Sequence, residues 1–220
     1  MTKLIVNADD FGYRPLFNRM ILEFIEEGAV TSTSVMVDKI SSEQNEQVEK
    51  IVQFSEKKLV SVGLHVHFNS KNYDDEIDRQ YDKFINIFGF KPSHIDIHTK
   101  DDIEKTYPII LKFCKEKNIP CKNIGNFDEN IKDIGGLITT KEPSYSATWK
   151  SFPEIKEWLD SLQDGFFCIN SHPGYFDPDL SESVSNRKKQ REVDAKNIRK
   201  MANYLKKLDI ELVNFYDLLA

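Results

Sequence analysis

Near the start of the chain, Asn7-Ala8-Asp9-Asp10-Phe11-Gly12 follows directly on the apolar run Leu4-Ile5-Val6. Two adjacent carboxylates repel one another unless a cation lies between them or one stays protonated, so this pair points to a bound cation. The alternative is an Asp-containing turn that caps the next helix. The chain has five histidines, His65, His67, His94, His98 and His172, and each falls in or just after a stretch that reads as a strand. One such histidine alone reads as a hydrogen-bonded core residue. Five of them together with Asp9 and Asp10 read as a mononuclear hydrolytic metal site. Imidazole nitrogens and a carboxylate suit a zinc ion, and three protein ligands leave coordination positions open for water and substrate.

These residues need a scaffold that gathers strand ends. Leu4 to Val6 is short enough for a buried strand, and Phe17, Met20, Ile21, Phe24 and Ile25 then follow helical spacing, with Pro15 at the start and Gly28 at the end. Val30 to Val37 reads as a strand in which Thr31, Ser32, Thr33 and Ser34 are expected mostly to satisfy one another. Ser41 with Gln44 forms a capping box for a second helix, and Val60 to Phe68 is a third strand. A helix carrying Ile77, Tyr81, Phe84 and Phe88 stops at Gly89. The strand His94-Ile-Asp96-Ile-His98 alternates strictly, which puts His94, Asp96 and His98 on one face. His65 and His67 also share a face, and spacing does not choose between them as a ligand.

Tyr107 to Asn118 reads as a helix and Ile119 to Ile124 as a strand. Beyond them the pattern weakens: Gly135 to Thr140 is a candidate strand and Glu142 to Trp149 a loop. Ser151, Pro153 and Glu154 open another helix, and the strand Gly165 to Asn170 runs into Ser171-His172-Pro173-Gly174. A long helix, about Asn186 to Leu208, buries Ala195, Ile198, Met201 and Leu205, and its alternating charges are expected to form a solvated face. The last strand is Ile210 to Phe215. Strands alternating with helices predict an α/β chain of parallel βα units. The expected fold is a single-domain (β/α) barrel over residues 1–220, distorted or incomplete, of the seven-stranded TIM type. An open doubly wound sheet is the alternative, but no glycine-rich phosphate loop follows the first strand.

With 220 residues, the chain has the size of one α/β domain. Its 30 basic and 36 acidic side chains give a net charge of −6, which argues against a nucleic-acid partner. No long apolar run and no leader pattern is visible, so no membrane partner and a cytoplasmic location are expected. Cys114, Cys121 and Cys168 read as buried thiols in a reducing compartment.

The motifs Asn7-Ala8-Asp9-Asp10-Phe11-Gly12, Val30-Thr-Ser-Thr33, Gly63-Leu-His65, His94-Ile-Asp96-Ile-His98 and His172-Pro173-Gly174 resemble, in order, those of the YdjC-like carbohydrate deacetylases, a family that includes chitooligosaccharide deacetylases. The resemblance implies a barrel-like fold, a divalent metal and hydrolysis of an N-acetyl group on a small carbohydrate. Carried over by position, it implies Asp10, His65 and His98 as metal ligands and Asp9 as the neighbouring base. His172 would be the acid that protonates the leaving amine, although a histidine before Pro-Gly can also simply fix a turn. Two histidines and one carboxylate favour zinc, with magnesium as the alternative. Asn7, His94 and Asp96 are then supporting residues around the ligands. His67, Tyr145 and Trp149 are candidate substrate contacts, and exposed aromatics of this kind would equally serve the interface of a homodimer.

The sequence also departs from the family. Thr99 to Asp102 replace further histidines after His98, Ile97 stands in a serine position, and Asn69 to Asp75 forms a shortened connection into the next helix. Loops at this face set substrate choice, so the family's chitobiose preference does not carry over. The competing readings are a metal hydrolase acting on another amide or an ester, and a catalytically silent sugar-binding relative.

Overall fold

The computed structural model describes residues 1–98, 103–122, 145–148, 150–180 and 185–218. Among the described residues, seven strands form one parallel sheet: β1 (Thr2–Phe11), β2 (Ser32–Val35), β3 (Ser61–Val66), β4 (Ile95–Ile97), β5 (Tyr145–Ser146), β6 (Gly165–Ser171) and β7 (Ile210–Leu212). Their order is β4-β3-β2-β1-β6-β5, and β7 pairs with the beginning of β1. Among the described residues the path ends at β4 and β5, so the sheet is an open, incomplete barrel of the TIM kind, as the alternation of elements predicts. β7 and β2 share one edge of β1, one after the other. Thr31 joins them, accepting from the Val6 N–H and donating to the Val213 carbonyl.

Six α-helices cover the sheet among the described residues: α1 (Pro15–Glu26), α2 (Asn45–Glu56), α3 (Tyr73–Phe88), α4 (Ile103–Lys117), α5 (Phe152–Ser161) and α6 (Ser185–Leu205). Each follows from its apolar spacing and its end signals. α3 buries Ile77, Tyr81, Phe84 and Phe88 and stops at Gly89, whose φ of 77° is a left-handed value that glycine adopts without strain. α5 begins with Glu154 accepting from the Ser151 N–H at 2.7 Å. Gln44 likewise accepts from the Ser41 N–H, but there the box opens a 3₁₀ turn, Ser42–Gln44, that leads into α2. No helix among the described residues is long and apolar enough to cross a membrane.

Four stretches depart from the sequence expectations. The last strand, expected to reach Phe215, ends at Leu212, and Phe215 opens a 3₁₀ turn, Phe215–Leu218. The segment expected as loop contains β5, which pairs with β6 through Tyr145↔Ile169 and Ser146↔Asn170. Two residues are too few for an alternating pattern to be visible. The strand expected at Ile119 to Ile124 is reduced, over its described part, to one bridge between Ile95 and Cys121. Gly135 to Thr140 lies outside the described residues. The four hydroxyls of Thr31 to Ser34 do not satisfy one another: Thr33 donates to the Ala8 carbonyl, and Ser34 faces the interior of the strand ends.

Candidate active site

Because all seven strands are parallel, their carboxyl ends lie on one side, where α/β folds build their sites. The central strand presents the carboxylates. Adjacent strand residues face opposite ways, so Asp9 and Asp10 can share a site only if the strand is irregular. The register of β1 against β2 shifts between Ala8 and Phe11, and Asp10 has φ 72°. This left-handed backbone, which Asp tolerates better than branched residues, turns both carboxylates inward. Gly12, at φ 91°, completes the turn, and a Cβ there would meet the Met36 carbonyl at 2.9 Å.

Asp10 is fully buried and is the meeting point of three elements. Its Oδ1 lies 3.0 Å from His98 Nδ1, just after β4, and 3.4 Å from His65 Nε2 on β3. Its Oδ2 accepts from the Arg191 guanidinium of α6 at 2.6 Å. Burial opposes the charge of Asp10, yet Arg191 and the two histidines hold its pKa well below the usual carboxylate value. Ligand-type atoms of Asp10, His65 and His98 lie within 4.8 Å of one another. His65 Nε2 is buried there without a hydrogen-bond partner, which is costly unless a cation or ligand meets it. Two imidazole nitrogens, one of them orphaned, and one carboxylate oxygen fit a divalent ion.

The orientation of His65 comes from strand register. His65 pairs with Asp96 across β3 and β4, and Asp96 Oδ1 holds His65 Nδ1 at 2.6 Å, leaving Nε2 toward Asp10. A carboxylate behind a ligating imidazole fixes the ring and raises its basicity. Burial by itself would lower the His65 pKa, but Asp96 and Asp10 push it up to about 10. His67, two residues on, is half-buried and sets its ring edge-on to His98 at 5.2 Å. It therefore sits beside the cluster, while His65 is the histidine facing Asp10. Burial and the neighbouring His98 lower the His67 pKa.

Beneath the cluster the side chains predicted to share a face do so. Asn7 donates to Asp9 Oδ1 at 2.7 Å and to Ser34 Oγ at 3.2 Å. Ser34 in turn donates to Asp96 Oδ2 and lies 3.0 Å from His94 Nε2. His94 stacks on Phe215 with ring centroids 4.0 Å apart and fills the space over Gly63, where a Cβ would come within 2.3 Å of the ring. Gly63 is thus a packing requirement of the site. Enclosed in this way, His94 has its pKa pushed down to about 3, by burial first and by the charge of Lys122 second.

His172 follows β6, and its Nε2 is 3.7 Å from Asp9 Oδ2. Asp194 of α6 accepts from the His172 N–H at 2.9 Å and from the Thr148 hydroxyl at 3.1 Å. With the Thr148 proton committed to Asp194, its oxygen receives His172 Nδ1–H at 2.7 Å. The Nε2 lone pair of neutral His172 then faces Asp9. Burial lowers the His172 pKa, against the opposing pull of Asp10 and Asp9.

Three charged residues of this site were not foreseen. Arg191 and Asp194 contradict the expectation of a solvated face on α6: both are buried and reach Asp10 and His172. The stripe of Ala195, Ile198, Met201 and Leu205, continued toward the helix start, runs through them, so the periodicity carried the information. Lys122, buried after the Cys121 bridge, holds Asp9 and Asp96. Tyr145, expected to contact substrate, does not join the cluster. Its ring stacks on Trp158 of α5 at 4.3 Å, because in β5 it faces the helix layer. Trp149 lies outside the described residues.

Comparison with known proteins agrees with the fold and the motifs. A carbohydrate deacetylase of Clostridium beijerinckii is 29% identical over 252 aligned positions, covering 98% of this chain and 100% of the relative. The structure of an Enterococcus faecalis V583 protein described as a cellobiose-phosphate cleavage protein superposes with a TM-score of 0.77 at 22% identity, covering 99% of this chain and 98% of the other. The peptidoglycan N-acetylglucosamine deacetylase Bc1960 shares the fold at a TM-score of 0.62 and 14% identity, over 98% of this chain and 87% of its own. A profile of the family described as YdjC-like protein matches residues 3–74 and 71–207. The two pieces meet in the short connection between β3 and α3, where the sequence departs from the family pattern. With that match running through nearly every strand and helix of the sheet, the chain belongs to the YdjC-like family.

Proposed function

We propose that the chain is a single-domain, metal-dependent carbohydrate deacetylase that removes the acetyl group from a small N-acetylated sugar or oligosaccharide. The observation that carries this reading is the convergence of Asp10, His65 and His98 beside Asp9 and His172 at the carboxyl ends of the strands. Its relatives include proteins named carbohydrate deacetylase.

In this reading Asp10, His65 and His98 hold the ion, zinc in preference to magnesium because two of the three donors are imidazoles. A divalent ion there supplies Lewis-acid polarisation of the acetamide and a more acidic water. The protein supplies the proton traffic. Asp9, with Oδ1 engaged by Asn7 and Lys122, has Oδ2 available to take a proton from the attacking water. His172, fixed through Nδ1 by Thr148 and Asp194, takes up at Nε2 the proton that Asp9 has received from the water and gives it to the departing amine, which returns Asp9 and His172 to their starting forms. Its lowered pKa makes the protonated ring a stronger acid toward that amine. Arg191 and Asp96 keep Asp10 and His65 in place. His67 lies at the mouth of the site beside His98, where it would meet the sugar.

The test is acetate release from N-acetylglucosamine, its phosphates and short chitooligosaccharides, using protein stripped of metal and then given zinc or magnesium. The expected result is release that requires the metal and disappears in Asp9→Asn. Metal binding without release from any sugar would move the assignment to another amide or ester, or to a silent binding protein.

A further inference from the structure

Next to the Asp10, His65 and His98 group lies a second cluster of ligand-type atoms, from Asp9, His65 and Asp96, also within 4.8 Å of one another and all buried. By donor chemistry it is a second cation position, sharing His65 with the first. It already contains a cation. Lys122 Nζ is 2.5 Å from Asp9 Oδ1, 2.5 Å from Asp96 Oδ2 and 3.1 Å from Ser34 Oγ. An ammonium has three N–H donors, and these three acceptors satisfy them all. The Lys122 side chain is 1% exposed, and such burial is tolerated only with complete pairing of this kind.

The placement has a consequence for each carboxylate. Asp9 Oδ1 is occupied by Lys122 and Asn7, so only Oδ2 faces the reaction side, toward His172. Asp96 Oδ2 is occupied by Lys122 and Ser34, so only Oδ1 is left for His65 Nδ1. Three carboxylates, Asp9, Asp10 and Asp96, face two fixed cations, Lys122 and Arg191.

We propose that Lys122 is a tethered counter-cation that fills the second cation position of the site. It limits the protein to one divalent ion and keeps Asp9 out of that ion's coordination shell, with Oδ2 aimed as the base. This inference rests on the metal-site reading above. Lys122 is a positioning residue: it acts through Asp9 and Asp96.

The experiment is zinc stoichiometry of the full chain, by calorimetric titration of stripped protein together with metal analysis, for the wild type, Lys122→Met and Lys122→Ala. The wild type is expected to take one equivalent. Both variants are expected to take a second, with kcat reduced about 10²-fold or more and KM changed by less than about 3-fold, the signature of a misplaced base. Methylammonium, which restores a cation to the space left in Lys122→Ala, is expected to bring back both the single equivalent and part of kcat. Two equivalents in the wild type, with the second ion between Asp9 and Asp96 in a zinc anomalous map, would overturn the proposal and needs no variant to fold. One equivalent in folded Lys122→Met with unchanged kcat would overturn it as well. Zero equivalents in the wild type would instead remove the metal reading itself, so the two failures are distinguishable.

Discussion

Two ion networks lie near the carboxyl ends of the strands, one buried and one exposed. In one, the single cation Lys122 is shared by Asp9 and Asp96, with side-chain exposures of 1%, 7% and 1%. In the other, Asp38, on the 3₁₀ turn after β2, is shared by Arg79 and Lys83 of α3, which are 47% and 40% exposed, and Arg79 also pairs with Glu76 at 2.9 Å. In the surface network water completes the solvation of the long side chains, so its geometry is not fixed by protein partners alone. The buried one is completed only by Asn7, Ser34 and His65. Charges removed from water must have every donor and acceptor matched, whereas exposed pairs are screened and contribute little. The buried network is therefore the one that fixes geometry, and it is the one that carries the residues of the proposed reaction.

The largest effect that would break this contrast is on turnover. Asp9→Asn keeps the shape of the buried network and removes its base, so kcat is expected to fall about 10²- to 10⁴-fold in the acetate-release assay. Asp38→Asn should leave kcat within a factor of about 2, as expected for an exposed pair that contributes little to stability. Next comes stability. Asp96→Asn leaves Lys122 with one carboxylate and His65 without its orienting charge. Urea unfolding is expected to show a loss of about 3–5 kcal/mol, the cost of breaking a buried pair. Zinc affinity is expected to drop about 10- to 100-fold, as for loss of a carboxylate behind a ligating histidine.

The pH dependence sharpens the contrast. His94, with its pKa held down at about 3, stays neutral in the fold while the unfolded chain takes up a proton below about 6.5. Folding then becomes less favourable as the pH falls from 6.5 toward 3, by about 1.4 kcal/mol per pH unit from this group. A His94→Gln variant is expected to show a flatter acid limb in urea midpoints measured between pH 7 and 5. Asp38 acts with the same sign, in a lower pH window and with a smaller effect. Its pKa is lowered to about 2, by the Arg79 hydrogen bonds first. Its contribution is present above about 3.8 and is lost as the pH falls through 2. Because its partners are exposed, Asp38→Asn is expected to cost about 0.2–1 kcal/mol at pH 7 and progressively less as the pH falls from about 3.8 through 2, again by urea midpoint.

How much of the site could be read beforehand depended on the element that carried each residue. β4 alternates, so His94, Asp96 and His98 were legible as one face. The Asp9 and Asp10 pair was legible as a strand-end motif, but the left-handed backbone at Asp10 that turns both inward was not, since no residue-type rule requires it. Arg191 and Asp194 lay on a readable helical stripe and were misjudged because charged residues on a charged helix normally face water. Lys122 carried no sequence signal that set it apart from other lysines. The short β5 escaped because two residues give no period.

The sequence by itself determined the parallel α/β architecture and the donor types at the strand ends, since periodicity, end signals and motif residues are local. Only the tertiary structure decided which donors meet. His65 faces Asp10 because strand register sets it opposite Asp96. Arg191 reaches Asp10 across 181 residues and Lys122 reaches Asp9 across 113. Such pairings are fixed by strand order and helix rotation about the core, which no local pattern specifies, and they turn a row of strand-end side chains into one connected site.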